Sequence, residues 1–153
     1  MGQYQSIILA KYIAAYLNDK HVDMNITKIQ KLTYVMYGLY LAATGERLID
    51  ERPQAWPYGP VFPKTRKYLI KHNPYKILMP DEDLTEISKD ENVSLLMDKV
   101  FETFGSWSAL KLSDWSHKEG SPWEATISAP GFKWGDRIDD DSISAYFGRF
   151  IRQ

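Results

Sequence analysis

The segment 55–63, with the sequence AWPYGPVFP, restricts the fold of this chain more than any other stretch. Three prolines, one glycine and three aromatic residues fall within these nine positions. Proline fixes φ near −65° and has no backbone N–H, so a helix cannot run through the middle of the segment. Gly59 can supply the positive φ of a turn from Pro57 to Pro60, and Pro63 suits the first position of a following helix. We therefore expect a rigid corner between two helices.

The three aromatic rings of this corner, Trp56, Tyr58 and Phe62, allow two interpretations. A rigid aromatic surface loses little entropy on binding, and Trp and Tyr are enriched among the residues that dominate binding energy at interfaces. Alternatively, rings beside a turn belong to the core and cover the end of a helix bundle. Both roles can coexist, and we expect Tyr58 to be an exposed contact and Trp56 a buried anchor.

Apolar residues recur with helical spacing before this corner. The pattern predicts a first helix over residues 5–18 and a second helix that begins after Asn25 and ends at Gly45. The second helix is apolar around most of its circumference, which is typical of a central, buried helix. Asn25 can cap it and Gly45 can end it. Gly38, in its middle, weakens the helix by about 1 kcal/mol relative to alanine, which indicates that another backbone approaches closely there.

Two short extended pieces precede the corner. Arg47–Ile49 and Gln54–Trp56 lie on either side of a polar turn and predict a small β-ribbon. The polar segment 79–92 is expected to be an exposed connection. Further helices are predicted over residues 62–71, 91–104, 108–118 and 121–128.

A final helix is predicted to be capped by Asp141. Its inward-facing residues are expected to be Ile143, Phe147, Phe150 and Ile151. The expected fold class is therefore mainly α: a compact single-domain helical bundle over residues 1–153, with a small two-stranded β-ribbon near residues 47–56.

The composition and motifs exclude several classes of chemistry. The chain has no cysteine, so disulfides, thiolate nucleophiles and iron–sulfur clusters are excluded. Its three histidines form no HxxxH or HExxH pair, and it has no GxxxxGK[ST] loop or GxGxxG fingerprint. We therefore expect no metal and no cofactor. No apolar run approaches the roughly 18 residues of a membrane span, and the N-terminus lacks a signal-peptide pattern. We expect a cytoplasmic protein with no membrane contact.

Charge is segregated along the chain although the net charge is only −1. Lys64, Lys67 and Lys71 share one helical face, with Arg66 beside it, and acidic runs occur at 81–83 and 139–141. This pattern suits an electrostatically steered protein partner. A nucleic-acid partner is the alternative, because basic and aromatic residues interleave here.

Lys28 and Lys31 begin the central helix, where the helix dipole disfavours cations. Misplaced charges of this kind indicate either a solvated flank or a binding face. In the second case both lysines would add to the basic surface that a nucleic acid or an acidic protein could contact.

Asp114, His117 and Ser121 are the only arrangement that suggests catalysis. Asp114 and His117 share a helical face at i and i+3, and Ser121 lies just beyond, as in an Asp–His–Ser hydrolase. Such a triad is defined by geometry rather than by spacing. The simpler interpretation is that His117 holds the turn HKEGSPW by a hydrogen bond. Nothing in the sequence requires an enzyme, and we expect a non-enzymatic binding protein, with a hydrolase as a third possibility.

Two motifs resemble a known family. The stretch KLTYVMYGLYLAATGERLIDERPQAWPYGPVFPKTRKYL resembles the Panacea domain of phage-associated GepA-like and SocA-like proteins, and the later LSDWSHKEGSPWEA resembles the second signature of that family. The matching positions are Lys31, Leu32, Tyr34, Gly45, Ala55, Trp56, Tyr58, Gly59, Pro60, Val61, Pro63, Leu112, Ser113, His117, Gly120, Ser121, Pro122 and Trp123.

The resemblance implies an antitoxin of a toxin–antitoxin system. Such a protein neutralises a cognate toxin by direct binding, or delivers it to a AAA+ protease. The positions expected to bind the partner combine the signatures with the adjacent basic residues. They are Lys31, Tyr34, Trp56, Tyr58, Gly59, Pro60, Lys64, Lys67, His117 and Trp123.

Overall fold

A computed structural model describes residues 2–72 and 84–151, and most of them are helical. In chain order the elements are β1 (Gly2–Tyr4), α1 (Ser6–Asp19), α2 (Ile26–Thr44), β2 (Arg47–Ile49), β3 (Gln54–Trp56), β4 (Gly59–Val61), α3 (Pro63–Lys71), α4 (Thr85–Ser88), α5 (Glu91–Phe104), α6 (Ala109–Ser116), α7 (Pro122–Ile127) and α8 (Asp140–Ile151). The mainly α fold class is confirmed. Each predicted helix is present, with its ends close to the predicted positions.

Helix α2 is the central element around which the other helices pack. The Asn25 side chain accepts a hydrogen bond from the Lys28 N–H at 2.8 Å, which caps the first turn as predicted. Gly45 ends the helix in the left-handed conformation, with φ of 76°, and its N–H donates to the Leu41 carbonyl. Most α2 residues between these caps are buried, and the helix contacts α1, α3, α5, α6 and α8. The predicted buried central helix is confirmed.

The close approach at Gly38 is made by a side chain rather than by another backbone, so that detail of the prediction was wrong. A Cβ added to Gly38 would lie 2.1 Å from Cδ2 of Phe147, on α8. The buried Phe147 ring also meets the Tyr34 ring edge to face, with centroids 5.4 Å apart. The missing side chain at Gly38 therefore lets α8 lie directly against α2.

The short strands occur at the predicted positions, but they do not pair with each other. Strand β2 pairs in parallel with β1, and β3 pairs in antiparallel with β4. The predicted ribbon between Arg47–Ile49 and Gln54–Trp56 is therefore wrong. Two residues, Pro57 and Tyr58, suffice to join β3 to β4, and such a short hairpin link forms locally at small entropic cost.

Proline is tolerated in β4 because of the register of the hairpin. Pro60 lies opposite Ala55, whose N–H donates to Asp136 O and whose carbonyl accepts from the Gly135 N–H. Both backbone groups of Ala55 thus point away from β4, so Pro60 is at a position where the hairpin needs no N–H donor.

The final helix differs from its prediction in two respects. It begins at Asp140, and the Asp139 carboxylate accepts from the Ser142 N–H at 3.1 Å, so Asp139 rather than Asp141 is the cap. Ile143 and Phe147 are buried as expected, but Phe150 and Ile151 are exposed. Their exposure leaves the end of α8 with an apolar surface.

The acidic residues of the chain have mixed roles. Asp140 accepts hydrogen bonds from the Tyr37 hydroxyl at 2.6 Å and from Arg47 Nε at 2.8 Å, so it is part of the internal structure. The run 81–83 lies outside the described residues. Within the expected connection 79–92, Ile87 on α4 is buried, so that part of the segment is not simply exposed.

None of the helices in the described part of the chain combines the length and the apolar character needed to cross a bilayer.

Replacing Gly38 by alanine should lower the free energy of unfolding by about 1–3 kcal/mol, because the added methyl group would overlap the Phe147 ring. Helix propensity alone predicts the opposite sign, a gain of about 1 kcal/mol. Urea unfolding distinguishes the two. Ala43→Gly, at an exposed position of α2, is the control and should cost only the propensity term. If Phe147→Leu leaves the cost of Gly38→Ala unchanged, the ring is not its cause.

Candidate functional site

The proline hairpin, residues 54–62, is the candidate site, and a glycine at its turn is required for two reasons. Gly59 has φ of 118°, which other residues rarely adopt. A Cβ at this position would also lie 2.9 Å from Ser116 Oγ and 3.1 Å from Lys31 Nζ. The backbone of the turn therefore lies directly against side chains from α2 and α6.

The first half of the hairpin is held by side chains of the later sequence motif. Trp123 Nε1 donates to the Trp56 carbonyl at 2.7 Å. Ser113 Oγ donates to the Tyr58 carbonyl at 2.9 Å. These two donors fix both sides of the turn from α7 and α6.

The second half is held by side chains of the central helix. Lys31 Nζ donates to the Pro60 carbonyl at 2.8 Å. The Gln30 amide donates to the Phe62 carbonyl at 3.1 Å and accepts from the Phe62 N–H at 2.9 Å. The carbonyls of residues 56, 58, 60 and 62 are thus each bound by a side chain. Residues of the two sequence motifs contact each other at the hairpin.

The lysines at the start of α2 are buried, so they form neither a solvated flank nor a binding face. Lys31 is 4% exposed, and burial lowers its pKa to about 8. Lys28 is buried as well, its pKa is lowered by the same cause, and its Nζ donates to the Gly105 carbonyl at 2.7 Å. Both ammonium groups bind backbone carbonyls of other segments and so cross-link them to α2.

The three rings of the corner have three different environments. Phe62 is fully buried and contacts Tyr37 in the core. Tyr58, at the tip, is 80% exposed, as predicted. Trp56 is half-buried rather than fully buried, so the expectation of a buried anchor was wrong. Its Nε1 donates to Gln54 Oε1 at 3.0 Å, and the Arg66 guanidinium lies 5.3 Å from its ring centroid.

Two further exposed apolar residues near the hairpin were missed by the sequence prediction. Leu110 is 70% exposed, and helical spacing puts it on the same side of α6 as Ser113 and His117. Trp134, in the loop before α8, is 58% exposed, and its ring centroid lies 6.4 Å from that of Trp123. Two signals in the sequence could have identified them. Trp134 lies in a loop segment that begins and ends with glycine (131–135), and Leu110 lies on a different side of α6 from the buried Leu112.

We refer to a set of exposed and half-buried residues around the turn as the hairpin-tip surface. It consists of Trp56, Tyr58, Leu110, His117 and Trp134. On one flank, α3 presents Lys64 and Lys67 to solvent, next to Arg66 and Trp56.

The remaining positions expected to bind a partner are in the interior. Lys31, Tyr34, Gly59, Pro60 and Trp123 are all buried. Because Lys28 and Lys31 are buried, a nucleic acid could contact only the α3 part of the basic set named from the sequence.

The possible hydrolase residues have separate structural environments. Ser121 Oγ accepts from the Glu124 N–H at 3.2 Å and so caps α7. The His117 ring packs edge-on against Trp123, and its Nδ1 is buried without a hydrogen-bond partner among the residues described. Asp114 is exposed. Within residues 2–72 and 84–151, no hydrogen bond joins these three side chains.

The buried Lys31 should make stability depend on pH. Its folded pKa of about 8 is below the value of about 10.4 in an unfolded chain, so unfolding takes up a proton above pH 8. The free energy of unfolding should therefore rise with pH from about 8 to 9.5, by at most about 1.4 kcal/mol per unit. Urea unfolding should show a flatter rise for Lys31→Met. The exposed Lys89→Met is the control, and equal slopes in all three proteins would contradict the assignment.

Comparison with known proteins agrees with the two sequence motifs. A family model described as "Antitoxin SocA-like, Panacea domain" matches residues 29–124. The protein named Antitoxin SocA from Caulobacter vibrioides (strain NA1000 / CB15N) is 30% identical over 139 residues, covering 82% of this chain and 74% of that protein. No solved structure gives a significant match. The matched residues contain the proline hairpin and each of the four side chains that bind its carbonyls. The chain therefore belongs to the SocA-like Panacea-domain family.

Proposed function

We propose that this protein is the antitoxin of a toxin–antitoxin pair, and that it binds its toxin through the hairpin-tip surface. The family and the name of the relative support the first part. The observation that carries the second part is a rigid hairpin with an almost fully exposed tyrosine at its tip.

Rigidity is what makes the tip suitable for binding. Hydrogen bonds from Ser113 and Trp123 to the backbone on both sides of the turn keep the backbone at Tyr58 in one conformation. Little conformational entropy is therefore lost when a partner binds. Tyr58, Leu110 and Trp134 expose large apolar side chains, and aromatic residues of this kind dominate binding energy in many interfaces. A partner that covers them would remove this apolar area from water.

The basic flank favours an acidic partner surface. Lys64 and Lys67 on α3 are exposed beside the hairpin and follow it directly in the chain. Such charges at the rim of an interface mainly raise the association rate and align the partner. Direct binding at this surface is needed whether neutralisation is stoichiometric or proceeds by delivery of the toxin to a AAA+ protease.

Co-expression with the product of the adjacent reading frame tests the proposal. That product should arrest growth when expressed alone, and this protein should restore growth and copurify with it. If the neighbour is harmless alone and does not copurify, the proposed function fails.

Tyr58→Ala should weaken binding to that toxin at least tenfold, as expected for an exposed aromatic residue at the centre of an interface. The free energy of unfolding should change by less than about 0.5 kcal/mol, because the ring makes few contacts within the fold. Calorimetric titration and urea unfolding measure the two effects. Leu95→Ala, at a similarly exposed residue of α5, is the matched control. Equal losses of binding for both variants would argue against this surface.

Ser113→Ala tests whether the fixed backbone matters for binding. The change removes the donor to the Tyr58 carbonyl and should cost about 1 kcal/mol of stability. It should also weaken toxin binding, although Ser113 itself is buried beneath the hairpin. In a Tyr58→Ala background the same change should have little further effect on binding, because the two residues act together. Fully additive losses would show that the serine acts elsewhere.

A further inference from the structure

A second apolar surface is formed by residues outside the hairpin-tip surface, between α6 and α8. Trp115 is its centre, and its ring centroid lies 6.3 Å from that of Trp107, 6.0 Å from Tyr146 and 6.2 Å from Phe150. We call these four residues the α6–α8 aromatic face. Phe150 is 45% exposed, and the other three are half-buried. Contiguous apolar rings that remain partly accessible to solvent, unlike scattered apolar residues, mark interaction sites.

Two exposed cations lie on this face. Lys111 Nζ is 4.1 Å from the ring centroid of Trp107, and the Arg149 guanidinium carbon is 4.8 Å from that of Tyr146. Within the described ranges neither cation forms an ion pair. Each is held against a ring by cation–π attraction and is available to an acidic group of a partner.

A groove continues from the aromatic face between α7 and α8. Its volume is about 400 Å³, and Tyr146 and Arg149 are part of its lining. The rest of the lining is formed by small residues and one proline, namely Gly120, Ser121, Pro122, Ala125, Ser142 and Ala145. Small residues let another backbone or an apolar side chain approach closely. The groove and the rings thus form one continuous surface with positive charge at its edge.

We propose that this surface binds an acidic, apolar helical segment of a second protein. Apolar side chains on one face of the segment would cover the rings and enter the groove, and its carboxylates would pair with Lys111 and Arg149. Two acidic side chains contact residues of the groove lining without pairing with either cation. Glu124 accepts from the Gly120 N–H at 3.2 Å, and Asp139 accepts from the Ser142 N–H at 3.1 Å.

A second copy of this chain is a less suitable occupant. A two-fold symmetric contact would bring the same surface of each copy together. The two cations of each copy, Lys111 and Arg149, would then lie opposite a surface that carries the same positive charges, and like charges at an interface disfavour association. The charge of the surface therefore selects an acidic partner over self-association.

The binding surface is separate from the hairpin tip. On α6, Ser113 binds the hairpin backbone, whereas Trp115 packs towards α8. The proposal therefore does not depend on the antitoxin role, and each can fail without the other.

Selection from a random twelve-residue peptide library displayed on phage tests the proposal, with the immobilised wild-type protein as bait. The enriched peptides should combine glutamate or aspartate with leucine or aromatic residues at helical spacing. A synthetic peptide with the sequence of the most enriched clone should bind the double variant Lys111→Glu/Arg149→Glu about tenfold more weakly than the wild-type protein. Lys89→Glu, an exposed lysine on a different surface, and Tyr58→Ala should both bind it as wild type does.

Several outcomes would overturn the proposal. They are an absence of enriched peptides, enrichment of basic peptides, and peptide binding that is insensitive to the double charge reversal. Sedimentation velocity tests whether a second copy of the chain occupies the surface. A concentration-dependent dimer that Phe150→Ser abolishes would assign the surface to self-association. Far-UV circular dichroism of the double variant should match wild type. If it does not, the single variant Arg149→Gln replaces it, and binding unchanged by that substitution would equally reject the proposal.

Discussion

The rest of the structure depends on the binding of side chains to alternate carbonyls of the proline hairpin. A hairpin with strands of three residues is not stable alone, and two of its residues, Pro57 and Pro60, have no backbone N–H. Its carbonyls at 56, 58, 60 and 62 accept hydrogen bonds from the side chains of Trp123, Ser113, Lys31 and Gln30, respectively. The donors come from α2, α6 and α7, so the hairpin joins elements that are far apart in the sequence.

The need of the hairpin carbonyls for hydrogen-bond donors explains why a lysine is buried in the centre of the molecule. An ammonium group has three N–H donors on a long side chain, so Lys31 can reach a carbonyl that no backbone N–H reaches. The cost of burying that charge appears as its lowered pKa. At the periphery, tyrosine hydroxyls also join segments that are far apart in the sequence. Tyr4 donates to Asp90, and Tyr16 donates to Asp98. Burial, followed by these hydrogen bonds, raises the pKa of both tyrosines.

Local signals in the sequence were sufficient for the hairpin turn and for every described helix except the short α4, which lies in a segment expected to be an exposed connection. Asn25, Gly45 and Gly59 act through the backbone of their immediate neighbours, so their roles can be predicted without knowledge of the fold. Strand pairing could not be predicted in this way, because β2 pairs with β1 (Gly2–Tyr4), and both α1 and α2 lie between these two strands in the sequence. The burial of Lys31 was missed for the same reason: the helix-dipole rule concerns one helix, whereas the carbonyl that Lys31 binds belongs to another segment.

The candidate site consists of buried residues that hold the hairpin and of surface residues around its tip. Most of the positions that match the family motifs belong to the buried group. Gly59, Pro60, Ser113 and Trp123 match the motifs and are buried at or beneath the turn. Leu110 and Trp134, which enlarge the exposed surface, lie outside both motifs. The motifs thus cover the buried support of the tip together with Trp56, Tyr58 and His117 of the hairpin-tip surface. Substitutions at Leu110 and Trp134 can therefore alter the exposed surface without changing the side chains that fix the hairpin, because those donors are buried.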